Sequence, residues 1–178
     1  MQTSHAPVES PARQESRPRL TLRGLLALDA PSLEELYTEA SVPRLDAIHG
    51  DLRGRMLAVL PLRPSWDAAV RVWAGSDSFP WRGKSFTPLG HGRGRGINQA
   101  VRDSVRVFPF QTFVGPSRAG DFDCVQLDYD LPENPFFIRA IKDEIRKLSP
   151  ELFLGQAYLA ARPRSDARLV LYFALSAT

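Results

Sequence analysis

Cysteine is almost missing from this chain: Cys124 is the single one in 178 residues. No internal disulfide or thiolate metal cluster is possible, and a reducing, cytoplasmic setting is the expectation. Cys124 lies in an apolar-rich stretch, which reads as a buried, inert thiol rather than a nucleophile. Histidine is scarce as well, with three in all. His49 and His91, outside the N-terminal tail, read as loop residues. There is no Asp-x-Asp-x-Asp-Gly loop with a distal Glu, so no metal site and no cofactor are expected. No Gly-x-Ser-x-Gly elbow occurs, and His91-Gly-Arg-Gly-Arg-Gly96 lacks the Gly-Lys-Ser/Thr ending of a phosphate loop. No run of about 18 apolar residues exists to span a membrane as a helix. The first twenty residues lack the apolar stretch of a secretory signal, and Glu9 and Glu15 argue against a transit peptide.

What is present fits one domain of ordinary size, 43% apolar and 24% charged. Residues 1–20, with three prolines and few apolar anchors, read as a disordered tail, and 21–178 as a single domain. Ser32-Leu-Glu-Glu35 reads as a capping box opening a short helix to about Ala40, with Leu33, Leu36 and Tyr37 on one face. Arg55–Leu60 is an apolar strand. Ser65 caps a second short helix, Trp66 to about Ala74. Phe79–Phe86 reads as a strand and Gly90-His-Gly-Arg-Gly-Arg-Gly96 as a flexible loop. Val105–Val114 is strand-like, and Pro109 makes it an edge or bulged strand.

The clearest local order runs from Asp121 to Phe153. A period of two over Asp123–Asp130 gives way, across Leu131-Pro-Glu-Asn-Pro135, to a helical period over about Pro135–Leu148. Leu152–Ala160 and Arg168–Leu175 form the last strands, with Arg162–Arg168 as a polar hairpin loop. Six strands joined mostly by short turns favour antiparallel pairing. The expected fold is mainly β (α+β): a small antiparallel barrel, wholly or partly closed, with two short N-terminal helices and one longer helix between late strands. An open antiparallel sheet with helices on one face is the runner-up.

Three segments carry a family resemblance. Gly50-Asp-Leu-Arg-Gly54 follows a short helix and opens the first strand. Trp81-Arg-Gly-Lys-Ser-Phe86 is similar to a Trp-x-Gly-Lys-x-Phe box. Leu127-Asp-Tyr-Asp130 through Asp143 is followed by Phe153-Leu-Gly155 and Tyr172-Phe-Ala-Leu175. Together, over roughly residues 30–175, they resemble bacterial lipocalin-like domains of the GXWXG type, with Leu52 where that motif has tryptophan. The resemblance implies a calycin-like barrel and brings no established activity.

Charge is segregated along the chain. Trp81–Arg106 holds six basic residues against Asp103 alone, whereas Asp121–Glu133 holds five acidic residues and no basic one. The two segments are expected to neutralise each other as neighbours, with an anion site on the basic segment as the alternative. On the Asp123–Leu131 strand, Val125, Leu127 and Tyr129 share one face, and Gln126, Asp128 and Asp130 the other. Asp128 would need a cation such as Arg118 or Arg139 if covered. Arg139 and Asp143 are expected to pair on the helix surface, and Glu144 to be solvated.

The aromatic density suggests a barrel with a cavity. The first functional expectation is a cytoplasmic binder of a small hydrophobic or amphipathic, possibly acidic, molecule. Trp81 and Tyr129 would line the cavity, and Lys84 or Arg118 would anchor an acidic head group. The alternative is an isomerase or cyclase on the same scaffold, with Asp128, Lys84 or Tyr129 as acid–base candidates. A third reading, an RNA or protein interaction module, rests on the arginine-glycine tract alone. Nucleic-acid and membrane partners are not expected.

Overall fold

Alternating inward and outward side chains begin at Gly50 and recur through eight strands. The computed structural model describes residues 20–60, 80–100, 105–160 and 167–177. In chain order the strands are β1 (Gly50–Val59), β2 (Trp81–Gly90), β3 (Arg93–Ala100), β4 (Val105–Pro116), β5 (Asp123–Asp128), β6 (Ile141–Ser149), β7 (Leu152–Ala160) and β8 (Ala167–Ala177). Each pairs antiparallel with its sequence neighbour, and β1 pairs with β8, so the sheet closes into a barrel without an edge. The helices are α1 (Leu22–Leu26), α2 (Ala30–Glu39) and α3 (Phe136–Arg139), with a 3₁₀ turn at Leu45–Ala47. No helix among the described residues is long and apolar enough to cross a membrane.

Closure divides the apolar residues into two cores. The inner one holds Leu52, Phe86, Phe110, Val125, Leu127, Ile145, Phe153, Phe173 and Leu175, with Leu45 and Ile48 of the 3₁₀ segment joining them beside the start of β1. The outer one lies between the sheet and the N-terminal helices: Leu25, Leu33 and Tyr37 pack on Leu57, Leu154, Tyr172 and Ala174. Strands β1, β6, β7 and β8 are therefore covered on both faces. That explains how alternation is lost from their sequences.

Two departures from the sequence reading follow. Residues 90–96 are a hairpin rather than a loop. His91 and Gly92 have φ of 51° and 69°, and Gly90 pairs with Arg93, which is the tight two-residue turn that matches strand twist. Gly96 is required by close approach instead: a Cβ there would stand 2.3 Å from the Phe110 ring. The second departure is the long helix. It ends at Arg139, and 141–149 is strand β6. Ile138, Ile141, Ile145 and Leu148 fit a helical period only by coincidence. The physical period is two, with Asp143 and Ile145 inside and Glu144 and Arg146 outside beneath α2. The Arg146 guanidinium donates to the Ala40 carbonyl and to Asp123 O (3.1 Å), and stacks 4.0 Å from the Phe122 ring centroid.

The first described helices start earlier than the capping box implies. Asp29, not Ser32, caps α2, its carboxylate accepting from the Ser32 amide at 3.0 Å. The helix expected at 66–74 and the tail at 1–19 lie outside the described residues. So do residues 162–166 of the expected hairpin loop.

The opposite-charge segments are not paired strands, although Glu133 lines a surface pocket together with Arg93 and Arg95. Asp128 pairs with Lys142 (2.6 Å), Asp130 with Arg139 (2.6 Å) and Arg106 with Asp51 (3.2 Å). The acidic segment is thus matched by α3 and β6, because β6 rather than β3 lies beside β5 across that face.

Candidate functional site: a buried polar cluster in a barrel cavity

Strand β2 enters the barrel with Trp81 and Lys84 on its inner face, and the pairing of Lys84 with Asn98 on β3 sets those two side chains together. Opposite them, β4 carries a bulge. Ile97 pairs with Pro109 and Asn98 with Val107, leaving Phe108 as the extra residue at φ 57°. A positive φ at a phenylalanine is strained, and such strain persists only where surrounding contacts over-determine it. Here the bulge turns the Phe108 carbonyl to accept from Asn98 Nδ2 at 3.1 Å and places Phe108 in the cavity lining. Pro109, which marks this strand as bulged in the sequence, stands next to it. Asn134 secures the loop after β5, donating to Pro109 O (2.7 Å) and Tyr129 O (2.9 Å), so that Tyr129 points inward. Strand β6 contributes Asp143.

These residues meet around one ammonium. Lys84 Nζ donates to Asp143 Oδ2 (2.9 Å), Asn98 Oδ1 (2.9 Å) and Tyr129 Oη (2.5 Å). Four rings enclose it at 5.2–5.3 Å from centroid to nitrogen: Trp81, Phe110, Tyr129 and Phe173. The faces of such rings attract a cation and replace part of its lost hydration. Trp81 Nε1 donates to Asn98 Oδ1 at 3.0 Å, which orients the amide, and Tyr129 Oη lies 3.1 Å from Asp143 Oδ2. Lys84, Tyr129, Asn98 and Asp143 are all buried, Lys84 to 3% exposure. Burial pushes the Lys84 ammonium below its ordinary range, with the Asp143 charge pulling the other way. Tyr129 is held well above its ordinary value, first by burial and then by Asp143, and so is a neutral phenol.

The cluster borders a cavity of about 390 Å³ lined otherwise by apolar side chains, among them Met56, Phe108, Ile138, Ile141, Ala157 and Phe173. It lies at the barrel end opposite the 3₁₀ segment. Asp143 Oδ1 is buried with no hydrogen-bond partner among the described residues. Gln99 Nε2, Asn134 Oδ1 and Gln156 Nε2 are also without partners, but their residues do not line this cavity. No group of three or more metal-ligating side chains occurs among the described residues.

Of the side chains singled out in the sequence, the structure brings together Trp81, Lys84 and Tyr129. It places Arg118 and Asp128 elsewhere. Arg118 lies outside the barrel, donating to Glu144 Oε1 (2.5 Å) and Gln126 Oε1 (2.9 Å). Glu144 is fully buried rather than solvated, and also accepts from Tyr37 (3.3 Å) and Ser117 (2.7 Å). Asp128 points outward to Lys142, as its place on the face opposite Tyr129 requires. Asp143 and Asn98 were not identified as cavity residues. Asp143 sits in the segment read as a helix, where it was paired with Arg139. Asn98 follows the glycines read as a loop. Counting Asn98 as two residues beyond Gly96 on a period-two strand would have placed it on the inner face. Cys124 is buried as expected, and its thiol is pushed up by burial and the Glu144 charge.

No protein-family model matches the chain, and no curated protein matches it. A solved structure of a protein from Thermomonospora curvata is similar in fold, with a TM-score of 0.52 and 18% identity over 85% of this chain and 88% of that one. At that identity the likeness concerns the barrel alone.

Proposed function

We propose that the barrel binds a small, largely apolar molecule with one polar end. A single observation carries this reading: an apolar cavity of about 390 Å³ with its polar groups gathered at one point. Ligand sites are commonly built this way, with apolar walls supplying affinity and a few convergent polar groups fixing orientation. Scaling from a 150 Å³ apolar cavity that holds benzene, the space suits a molecule on the order of 15 non-hydrogen atoms. Trp81 and Tyr129 are among the residues that line this cavity.

The test is binding of the neutral fluorophore N-phenyl-1-naphthylamine, together with native mass spectrometry of the protein isolated from cells. A saturable fluorescence increase, lost in Trp81→Ala and weakened in the cavity-filling Ala157→Leu with the fold intact by circular dichroism, supports the reading. Absence of binding by the wild-type protein would sink it.

A second reading, an isomerase or cyclase, draws on the direct contact of a depressed lysine, a phenol and a carboxylate beside the cavity. Lys84→Met and Tyr129→Phe that retain fluorophore binding but lose turnover of a candidate substrate would favour it. Loss of binding alone would favour the first.

A further inference from the structure

The donors and acceptors of the buried cluster can be balanced one by one, and the balance indicates what kind of polar end the cavity accepts. An ammonium has three donor hydrogens and no acceptor. Lys84 directs them at Asn98 Oδ1, Tyr129 Oη and Asp143 Oδ2. Asn98 Nδ2 has two, directed at Phe108 O and Tyr129 Oη, both at 3.1 Å. The Trp81 indole hydrogen goes to Asn98 Oδ1. With Tyr129 Oη already accepting from the lysine and the amide, its own hydrogen turns to Asp143 Oδ2. Every donor is therefore spent inside the protein. The one group left over is an acceptor, Asp143 Oδ1, on a side chain 5% exposed that borders the cavity.

Charge balance leads the same way. Lys84 and Asp143 neutralise each other at 2.9 Å. No further cation lines the cavity among the described residues, because Arg118 is turned outward onto Glu144. A carboxylate entering the site would find no free donor and no unmatched positive charge, and would lie close to Asp143. Burying an unpaired ion of that kind is strongly unfavourable.

We propose, building on the ligand-binding reading above, that the cavity takes a neutral molecule whose polar end donates a hydrogen bond to Asp143 Oδ1, an alcohol or an N–H group, and excludes carboxylates. This reverses the head-group chemistry expected from the sequence, where Lys84 alone suggested an acid-binding anchor. Ala157, paired with Asp143 across β6 and β7, lines the same cavity.

The test uses three probes of similar size at pH 8, where the acid is ionised: 1-decanol, decyl methyl ether and sodium decanoate. Each competes against N-phenyl-1-naphthylamine on the wild-type chain. The expected result is that 1-decanol displaces the fluorophore at concentrations about tenfold or more below those needed for the ether or the carboxylate, the usual scale of a hydrogen bond to a charged group. In Asp143→Asn the preference for the alcohol should vanish and shift toward decanoate, because the Lys84 ammonium loses its counter-ion. Should that variant not fold, the wild-type series still decides. Decanoate binding as tightly as 1-decanol, or the ether matching the alcohol, overturns the inference while leaving the cavity reading intact. If the fluorophore and all three probes fail to bind, the cavity reading falls and the inference with it.

Discussion

Lys84 and Asp143 are opposite charges held in a barrel interior, each with 5% exposure or less. Removing two ions from water costs several kcal/mol apiece, and the contact at 2.9 Å with its surrounding hydrogen bonds offsets this only while both partners remain. Lys84→Met should therefore destabilise by about 3–5 kcal/mol, leaving a buried carboxylate without its counter-ion. The double change Lys84→Met with Asp143→Leu should recover most of that loss. Urea unfolding of the two singles and the double measures the coupling. A double variant no more stable than Lys84→Met would mean that the two side chains do not act as a pair. Three of the five side chains of this cluster were legible in the sequence: Lys84 and Trp81 share the Trp81–Phe86 box, and Tyr129 has a clear strand parity. Asp143 was not, because a carboxylate within an apolar stripe reads as a helix surface unless its strand is recognised.

Two glycines separate backbone needs from packing needs at the scale of the strand. Gly155 on β7 faces inward, and a Cβ there would lie 2.2 Å from the Phe173 ring. Gly92 in the β2–β3 turn has φ 69° and open space around it. Gly155→Ala must displace the ring toward the cavity, costing roughly 1–3 kcal/mol by overpacking. Gly92→Ala costs about 1 kcal/mol through its left-handed backbone alone. Both should lower the unfolding midpoint, but only Gly155→Ala should also weaken N-phenyl-1-naphthylamine binding, since Phe173 lines the cavity. Equal fluorophore affinity in the two variants would count against that placement of Phe173. Strand β6 gives the matching lesson. Its outward Glu144 and Arg146 are covered by α2 and the loop after β4, so charged residues occupy positions that sequence patterning reserves for solvent.

For the molecule as a whole, the number of buried acidic hydroxyl and thiol groups sets the response to alkali. Tyr37, Tyr129 and Tyr158 are all held above their ordinary values mainly by burial, as is Cys124. Each stays protonated in the folded protein while its unfolded counterpart ionises, near pH 8.5 for the thiol and near 10 for the phenols. Above those values the folded state binds more protons than the unfolded state, so stability falls as pH rises. Lys84 acts in the opposite sense. Its depressed value makes the unfolded state bind the extra proton, and stability gains with pH until about 10.4, the unfolded lysine value. Below about pH 10 the Lys84 gain opposes the Cys124 loss, so the expected profile is a decline that sets in as the phenols pass about pH 10 and steepens above about 10.4, by up to 1.4 kcal/mol per pH unit for each buried group. Urea midpoints measured from pH 8 to 11 check it. A Tyr37→Phe variant should flatten the alkaline slope and lose a modest hydrogen bond to Glu144. A profile that stays level to pH 11 would be incompatible with the burial of these groups.

By itself the sequence determined a mainly β chain of antiparallel strands, the inward face of the Tyr129 strand, and the Trp81–Lys84 pair as cavity candidates. Local periodicity and turn chemistry act over a few residues and are written directly into the chain. The eighth-to-first strand closure, the strand identity of 141–149 and the conversion of the glycine tract into a hairpin were decided by tertiary structure. Each depends on what covers the second face of a strand, such as Tyr37 over Glu144 or Phe110 over Gly96. The chemistry of the cavity belongs to the same class. Lys84 reads as an anion anchor on its own. Only closure of the barrel, bringing Asp143 from 59 residues away to the same point, uses up its three hydrogens and leaves Asp143 Oδ1 as the unpartnered oxygen of the cluster.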